Sequence, residues 1–311
     1  MRRITITGVV LIAIGAFLVT LAPLVRFYAA GKLIAAPADQ YGITKLRADN
    51  AQYFSTGDLK VLTGNLDITV TTRGDVEAAK GDDVVWDEFT AVNDVTNNKQ
   101  GISYAQRRSA FNKYTGAGVN CCGANVEKEP VQLTGQIYLF PFSTEKKTYP
   151  VFNSSTRKAF DAKFVGEDTV NGVPVYKFEQ TIPPTKIQTL TAPASVLGMT
   201  QPGDVQVDRW YDGTVTYWVE PASGTPVQQE QRRHEVLKTQ DGVERSVAFV
   251  ATARYTPESV NELVAKATDA KGQINTLKVT VPLALLAVGL LFILAGALLA
   301  ARRPRRRGHE A

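Results

Sequence analysis

The chain has 311 residues, 44% of them hydrophobic and 21% charged, with 35 Lys and Arg against 30 Asp and Glu and a formal net charge of +5. Seven of those basic residues are arginines at the two ends (Arg2, Arg3, Arg302, Arg303, Arg305, Arg306 and Arg307), and without them and Glu310 the middle carries about one net negative charge. A basic nucleic-acid surface is therefore excluded, and the charge reads as a marker of membrane topology.

Residues 4–25, ITITGVVLIAIGAFLVTLAPLV, carry no charge and are as long as a helix that crosses a bilayer core of ~30 Å. A buried core helix and a cleaved signal peptide are the competing readings, the latter because Ala36-Pro37-Ala38 has the small-x-small form. That triplet lies well past the run, and the run exceeds the apolar core of a signal, so a retained anchor is expected. The following RFYAAGKLIA extends the same helix outward.

From there the pattern turns to short alternating runs rich in Val, Thr, Tyr, Phe and Trp: residues 66–73, 83–92, 101–111 and 246–255. Such runs are half-buried strands. The Cys121-Cys122 pair comes next, inside GVNCCGANV. Structural zinc sites space their cysteines by two to four residues and need a second pair, which is missing here. His234 is the one histidine before the terminal tail, and a Cys–His nucleophile would need it beside the pair. Outside the cytoplasm a vicinal disulfide is expected, with Gly116, Gly118 and Gly123 permitting the unusual backbone. Buried free thiols or an intermolecular bridge are the alternatives.

Residues 135–153, GQIYLFPFSTEKKTYPVFN, form the most aromatic stretch. Read as a strand, it puts Tyr138, Phe140 and Phe142 on one face, with Pro141 at an edge or bulge. Tyr149 and Phe152 follow a charged turn. These rings are either core or an apolar wall for an acyl chain, and the same choice applies to Trp210, Tyr211, Tyr217 and Trp218. Asn171-Gly172, Asp212-Gly213 and Asp241-Gly242 have the chemistry of two-residue hairpin turns. Residues 182–204, rich in Pro, Thr and Ala, read as a long excursion from the β core with a short helix at 194–199.

Near the end, Thr256 caps a helix with Pro257 at its first position and a stripe of Val260, Leu263, Val264 and Ala267. Gly272 and Pro282 are its weak points. It leads into residues 279–301, VTVPLALLAVGLLFILAGALLAA, a second uncharged run of spanning length, followed by the arginine tail. With arginines outside both runs, both tips are expected in the cytoplasm and the body outside it. Gly8, Gly15, Gly289 and Gly296 space small residues two turns apart, which suits close helix contact.

No G-x-S-x-G, P-loop, H-E-x-x-H or EF-hand loop is present. The carboxylate pairs Asp82-Asp83 and Asp87-Glu88 read as solvated faces, so no catalytic residue is assigned.

The layout of basic tip, span, β-rich domain, span and arginine tail resembles the PorA-like family of actinobacterial envelope proteins, which includes the polar growth factor A (PgfA) type. The likeness is carried by Cys121-Cys122-Gly123, GQIYLFPFSTEKKTYPVFN, VNGVPVYKFEQ and TYWVEPASGTPV, and it covers nearly the whole chain. The resemblance implies a periplasmic domain that works beside an MmpL-type transporter of trehalose monomycolate and binds or passes on that glycolipid. It supplies no residue-level binding motif. Two spanning helices cannot enclose a channel, so a pore would require oligomers.

The expected architecture is a mainly β chain: a large twisted antiparallel extracytoplasmic domain (26–278, with a membrane-proximal helix at 256–278), flanked by transmembrane helices at 4–25 and 279–301 and cytoplasmic ends at 1–3 and 302–311. Tyr138, Phe140, Phe142, Tyr149, Trp210 and Trp218 are the candidate lipid-binding residues. No metal or cofactor is expected. Membrane lipids or glycolipids and an MmpL-type transporter are the expected partners. The alternatives are an envelope scaffold or sensor that binds no lipid, or an oligomeric channel subunit.

Overall fold

A computed structural model describes residues 6–301, so the arginines at both tips lie outside the described residues. Two units are present: one holds the terminal helices, and the other spans Ala36–Thr268.

In the first unit, α1 (Ile6–Leu24) runs through a π-helical turn (Val25–Ala29) into α2 (Ala30–Leu33). The second half is the end of α3 (Pro257–Asn275), another π-helical turn (Thr276–Thr280) and α4 (Val281–Ala301). Pro23 and Pro282 sit beside these turns, where each removes a backbone donor and the helix must adjust its register. The two helices touch through their glycines: a Cβ on Gly15 would lie 2.5 Å from the Gly289 carbonyl, and one on Gly296 would lie 2.6 Å from the Gly8 carbonyl. Gly8 facing Gly296 and Gly15 facing Gly289 makes the pair antiparallel, so Ile6 and Ala301 share one end. Close backbone approach of this kind is how helices associate where there is no water to drive burial. The glycine faces are thus used within the chain, and exposed Phe17, Leu24, Leu290, Leu291, Leu294 and Leu298 form the outer surface.

The second unit is one antiparallel half-barrel sheet. Its strands are β1 (Tyr41–Ser55), β2 (Lys60–Gly74), β3 (Asp83–Asp94), β4 (Lys99–Asn112), the two-residue β5 (Gly118–Val119), β6 (Asn125–Val126) and β7 (Glu129–Pro130), then β8 (Tyr149–Asn153), β9 (Lys158–Val170), β10 (Val173–Pro193), β11 (Asp204–Glu220), β12 (Thr225–Thr239) and β13 (Glu244–Tyr255). The order is β7–β6–β4–β3–β2–β1–β13–β12–β11–β10–β9–β8, with β5 also on β4. Two meanders are therefore joined where the first long strand pairs with the last, Leu46 opposite Tyr255. Short strands blunt one edge. The two ends of the sheet are stitched through Gln136, which bridges Ala117 on one side and Val151 on the other. Gly118 N–H donates to the Gly135 carbonyl at 2.8 Å, and Phe152 N–H to the Gln136 carbonyl at 2.9 Å.

Three local expectations need correction. Asp212-Gly213 is not a turn; it lies inside β11, where a Cβ at Gly213 would be 2.2 Å from the Arg232 carbonyl. The glycine serves a close strand–strand approach. Asn171-Gly172 and Asp241-Gly242 do lie between strands, with Asn171 at φ 47° and Gly172 at φ 81°. Residues 138–148 form no strand, so the period-two premise for Tyr138, Phe140 and Phe142 fails. Residues 182–193 continue β10 with irregular pairing near Pro183 and Pro184, and a 3₁₀ turn (Ala194–Leu197) then leads back to β11.

The first half of helix α3 packs on the convex face of β9–β12. Val260, Val264 and Ala267 pack on Val170, Val175, Trp218 and Val227. Its first turn is tied to β1 by Lys45 N–H to Ser259 Oγ at 2.8 Å and by Thr256 N–H to the Lys45 carbonyl at 2.9 Å.

Candidate functional site

Strand parity decides which side chains enter the concave face. On β11 the inward positions are Arg209, Tyr211, Gly213, Val215, Tyr217 and Val219; on β13 they include Phe249, Ala251, Ala253 and Tyr255. The six aromatic candidates do not converge. Phe140 is 3% exposed, stacked on Phe178 at 4.8 Å with Tyr149 at 5.5 Å and Tyr217 at 5.7 Å. Tyr138 belongs to a separate cluster, against Trp86 at 5.0 Å and Phe111 at 5.6 Å. Phe142 is half-buried. Trp218 lies under α3 on the convex side and donates its indole N–H to Asp168 Oδ2 at 2.9 Å. Trp210 shares that parity, beneath Lys238. The rings in 135–153 are thus largely used to fill the core.

A different apolar strip is only half-buried. Ile68, Val70, Phe249 and Tyr255 lie half-buried on a floor of Leu46, Ala48, Leu66 and Ala253. Beside this strip stand two charged groups that the sequence reading missed. Arg107 on β4 donates from Nη2 to Glu88 Oε2 at 2.8 Å, and its guanidinium lies 4.4 Å over the Tyr138 ring. Burial holds the Tyr138, Tyr217 and Tyr255 hydroxyls well above the usual tyrosine range, so all three are neutral donors at any physiological pH. Tyr255 donates to Gln229 Oε1 at 2.8 Å, and Tyr217 to the buried Gln180 at 3.1 Å.

The second group is Arg209 and Arg233 around Glu235. Glu235 is wholly buried. Arg209 Nε donates to its Oε2 at 2.7 Å, and Arg233 Nη2 donates to its Oε1 at 2.6 Å. Arg233 also reaches Ser155 Oγ at 3.2 Å and lies 5.5 Å from the Tyr211 ring centre and 5.4 Å from that of Phe249. Burial pushes the Glu235 carboxyl up, but the two guanidiniums outweigh it and hold the group below its ordinary range. The signal was present in the sequence: Arg209 interrupts a row of β11, from Val205 and Val207 to Tyr211 and Val215, that is otherwise largely apolar.

The convex face has other chemistry. A cleft of about 660 Å³ between β1, β2, β12, β13 and the start of α3 is lined by Arg47, Asp67, Arg232, Arg254 and Glu258. Its arginines are paired locally, Arg47 with Asp49 and Asp67, and Arg232 and Arg254 with Glu230. His234 bonds Asp212 at 2.8 Å, partly exposed. Among the described residues no three His, Cys, Asp or Glu side chains gather to hold a metal.

Cys121 and Cys122 are joined as a vicinal disulfide. Cys122 takes a left-handed φ of 59° and Gly123 one of 74°. Arg108, paired with Asp75 and Asp87, donates from Nε to the Cys122 carbonyl at 2.9 Å. Asn120 Oδ1 accepts from Leu133 N–H at 2.6 Å. The cysteine turn therefore anchors the start of the segment that stitches the sheet.

The family described as Porin PorA matches residues 7–298, which takes in both terminal helices and the β unit. The chain is similar to "Porin PorA" of Corynebacterium amycolatum, 28% identical over 179 residues that cover 50% of this chain and 43% of the relative. It is also similar to "Porin PorA" of Corynebacterium resistens, 28% identical over 243 residues, 58% of this chain and 59% of the relative. The chain thus spans about half the length of the curated relatives it matches.

Proposed function

This chain belongs to the Porin PorA family, and from that premise we propose that it is a membrane-anchored envelope protein whose β unit binds lipid or glycolipid on its concave face. The observation that carries this reading is the half-open strip of Ile68, Val70, Phe249 and Tyr255, bordered by charged and hydroxyl groups. An amphiphile fits such a surface: each methylene laid on the strip contributes about 0.8 kcal/mol, and the polar border takes the head group. Phe140 and Tyr149 fill one neighbouring core cluster and Tyr138 another, so they shape the unit rather than the strip itself.

In this reading α1 and α4 span the inner membrane with both tips in the cytoplasm. The antiparallel pairing supports it, because it puts Ile6 of α1 and Ala301 of α4 at the same end of the helix pair. The protein is of the PgfA type, it assists an MmpL-type transporter of trehalose monomycolate-like lipid, and it has no catalytic role. A pore built from the strands is disfavoured by the convex face, where Arg47, Asp49, Arg232 and Arg254 would meet hydrocarbon. The test is purification of the full-length chain followed by mass spectrometry of extracted lipids. Stoichiometric glycolipid is expected, and a lipid-free protein that binds none on titration overturns the proposal.

The self-filled aromatic core around Phe140 and Phe178 favours a second reading, a scaffold that binds protein alone. Cross-linking that captures a transporter from lipid-free protein would favour it.

A further inference from the structure

We propose that the concave face contains an oxyanion site, in which Arg209 and Arg233 bind the carboxylate or phosphate group of an anionic ligand. The inference rests on the reading of that face as a binding surface and adds the chemistry of the head group.

The argument is one of charge count in a desolvated place. Two guanidiniums share one carboxylate, that of Glu235. Glu235 is wholly buried, whereas the side chains of Arg209 and Arg233 remain 33% and 32% exposed. Among the described residues Glu235 is the only carboxylate paired with either arginine. Among the described residues the other groups in contact with Arg233 are uncharged: Ser155 from the turn after β8, Tyr211 on β11 and Phe249 on β13. The cluster thus carries one excess positive charge. A part-buried charge without a counter-ion is costly, and a ligand oxyanion would supply the missing negative charge.

The geometry suits that role. Each guanidinium has five N–H donors in a planar fork, more than Glu235 and Ser155 occupy. Arg233 is fixed in place by the Tyr211 and Phe249 rings, so its orientation is set before a ligand arrives. Phe249 is also part of the open apolar strip. An amphiphile with its acidic group on the arginines can therefore lay its chain directly on that strip. The Arg107–Glu88 pair is balanced one to one and makes no such demand.

The experiment uses the full-length chain in zwitterionic nanodiscs, with empty nanodiscs as blank. Inorganic phosphate, hexyl phosphate and hexyl glucoside are titrated calorimetrically against the wild type and Arg209→Gln. That substitution leaves the Arg233–Glu235 pair in one-to-one balance, and thermal unfolding checks that the fold persists. We expect hexyl phosphate to bind the wild type at least about tenfold more tightly than hexyl glucoside, with the preference falling to within about twofold in Arg209→Gln. Equal affinity of the wild type for both amphiphiles, or a preference that survives the substitution, overturns the oxyanion site. Glucoside binding without any preference removes this site and leaves the lipid-binding reading standing. Phosphate binding with neither amphiphile bound supports the site, with a free anion as its ligand, and removes the lipid reading. Binding of none of the three removes both.

Discussion

Glu235 is the residue on which the inner charge cluster turns. Its carboxylate neutralises part of two guanidiniums, so Glu235→Gln leaves both arginines without a counter-charge. The expected cost is about 3–5 kcal/mol, read as a lower denaturation midpoint. The pH dependence follows from the lowered carboxyl. Its stabilising contribution is complete above the unfolded value of about 4.3 and is lost as pH falls through the lower folded value. Urea midpoints measured from neutral pH into that acid window should fall for the wild type and change less for Glu235→Gln. Glycines at this scale differ by what surrounds them. Gly172 and Gly224 both have positive φ, 81° and 70°. A Cβ at Gly172 meets nothing, whereas one at Gly224 would be 2.0 Å from the Phe140 carbonyl. Gly172→Ala should cost about 1–2 kcal/mol, the left-handed penalty alone. Gly224→Ala should cost clearly more and loosen Phe140, whose N–H donates to the Gly224 carbonyl at 2.9 Å.

Elements with a strong periodic signal were legible. The alternating runs at 66–73, 83–92, 101–111 and 246–255 all lie within long strands, and α3 begins at Pro257 beside its Thr256 cap. The aromatic segment was not legible. Its residues alternate in type, yet Tyr138 and Phe140 are drawn into different clusters because the chain there crosses between two ends of a sheet. Asp212-Gly213 misled for a related reason: the dipeptide suits a turn, but a glycine is also what a close strand neighbour requires. The helix pair allows a direct test. Gly15→Leu places a branched chain where even a Cβ would meet the Gly289 carbonyl at 2.5 Å. Pairing of α1 with α4 should be lost, seen as loss of proximity between labels on the two helices in nanodiscs. A Leu placed at the exposed Phe17 position should leave the pairing unchanged.

For the whole molecule, the informative feature is how the sheet is held at its two ends. One residue, Gln136, bridges them, and the vicinal cysteines anchor the segment that carries it. Stabilisation by a disulfide grows with the length of loop it closes, and this one spans adjacent residues. Replacing both cysteines with serine should therefore change global stability by less than about 1 kcal/mol. The effect should instead be local, as faster proteolysis or hydrogen exchange across residues 131–148. A large drop in the unfolding midpoint would show that the turn carries more of the fold than its bonds indicate.

The sequence by itself determined the two apolar terminal helices, the antiparallel β class of the body and the helix that follows it. Each is written in a local property: an uncharged run of bilayer length, period-two alternation, or a cap with an apolar stripe. Only the tertiary structure decided that the first and last long strands pair at the centre, that the terminal glycines face each other, and that two arginines converge on one carboxylate. Those outcomes depend on strand order and parity summed over the whole sheet, and a residue two hundred positions away leaves no mark on the local pattern.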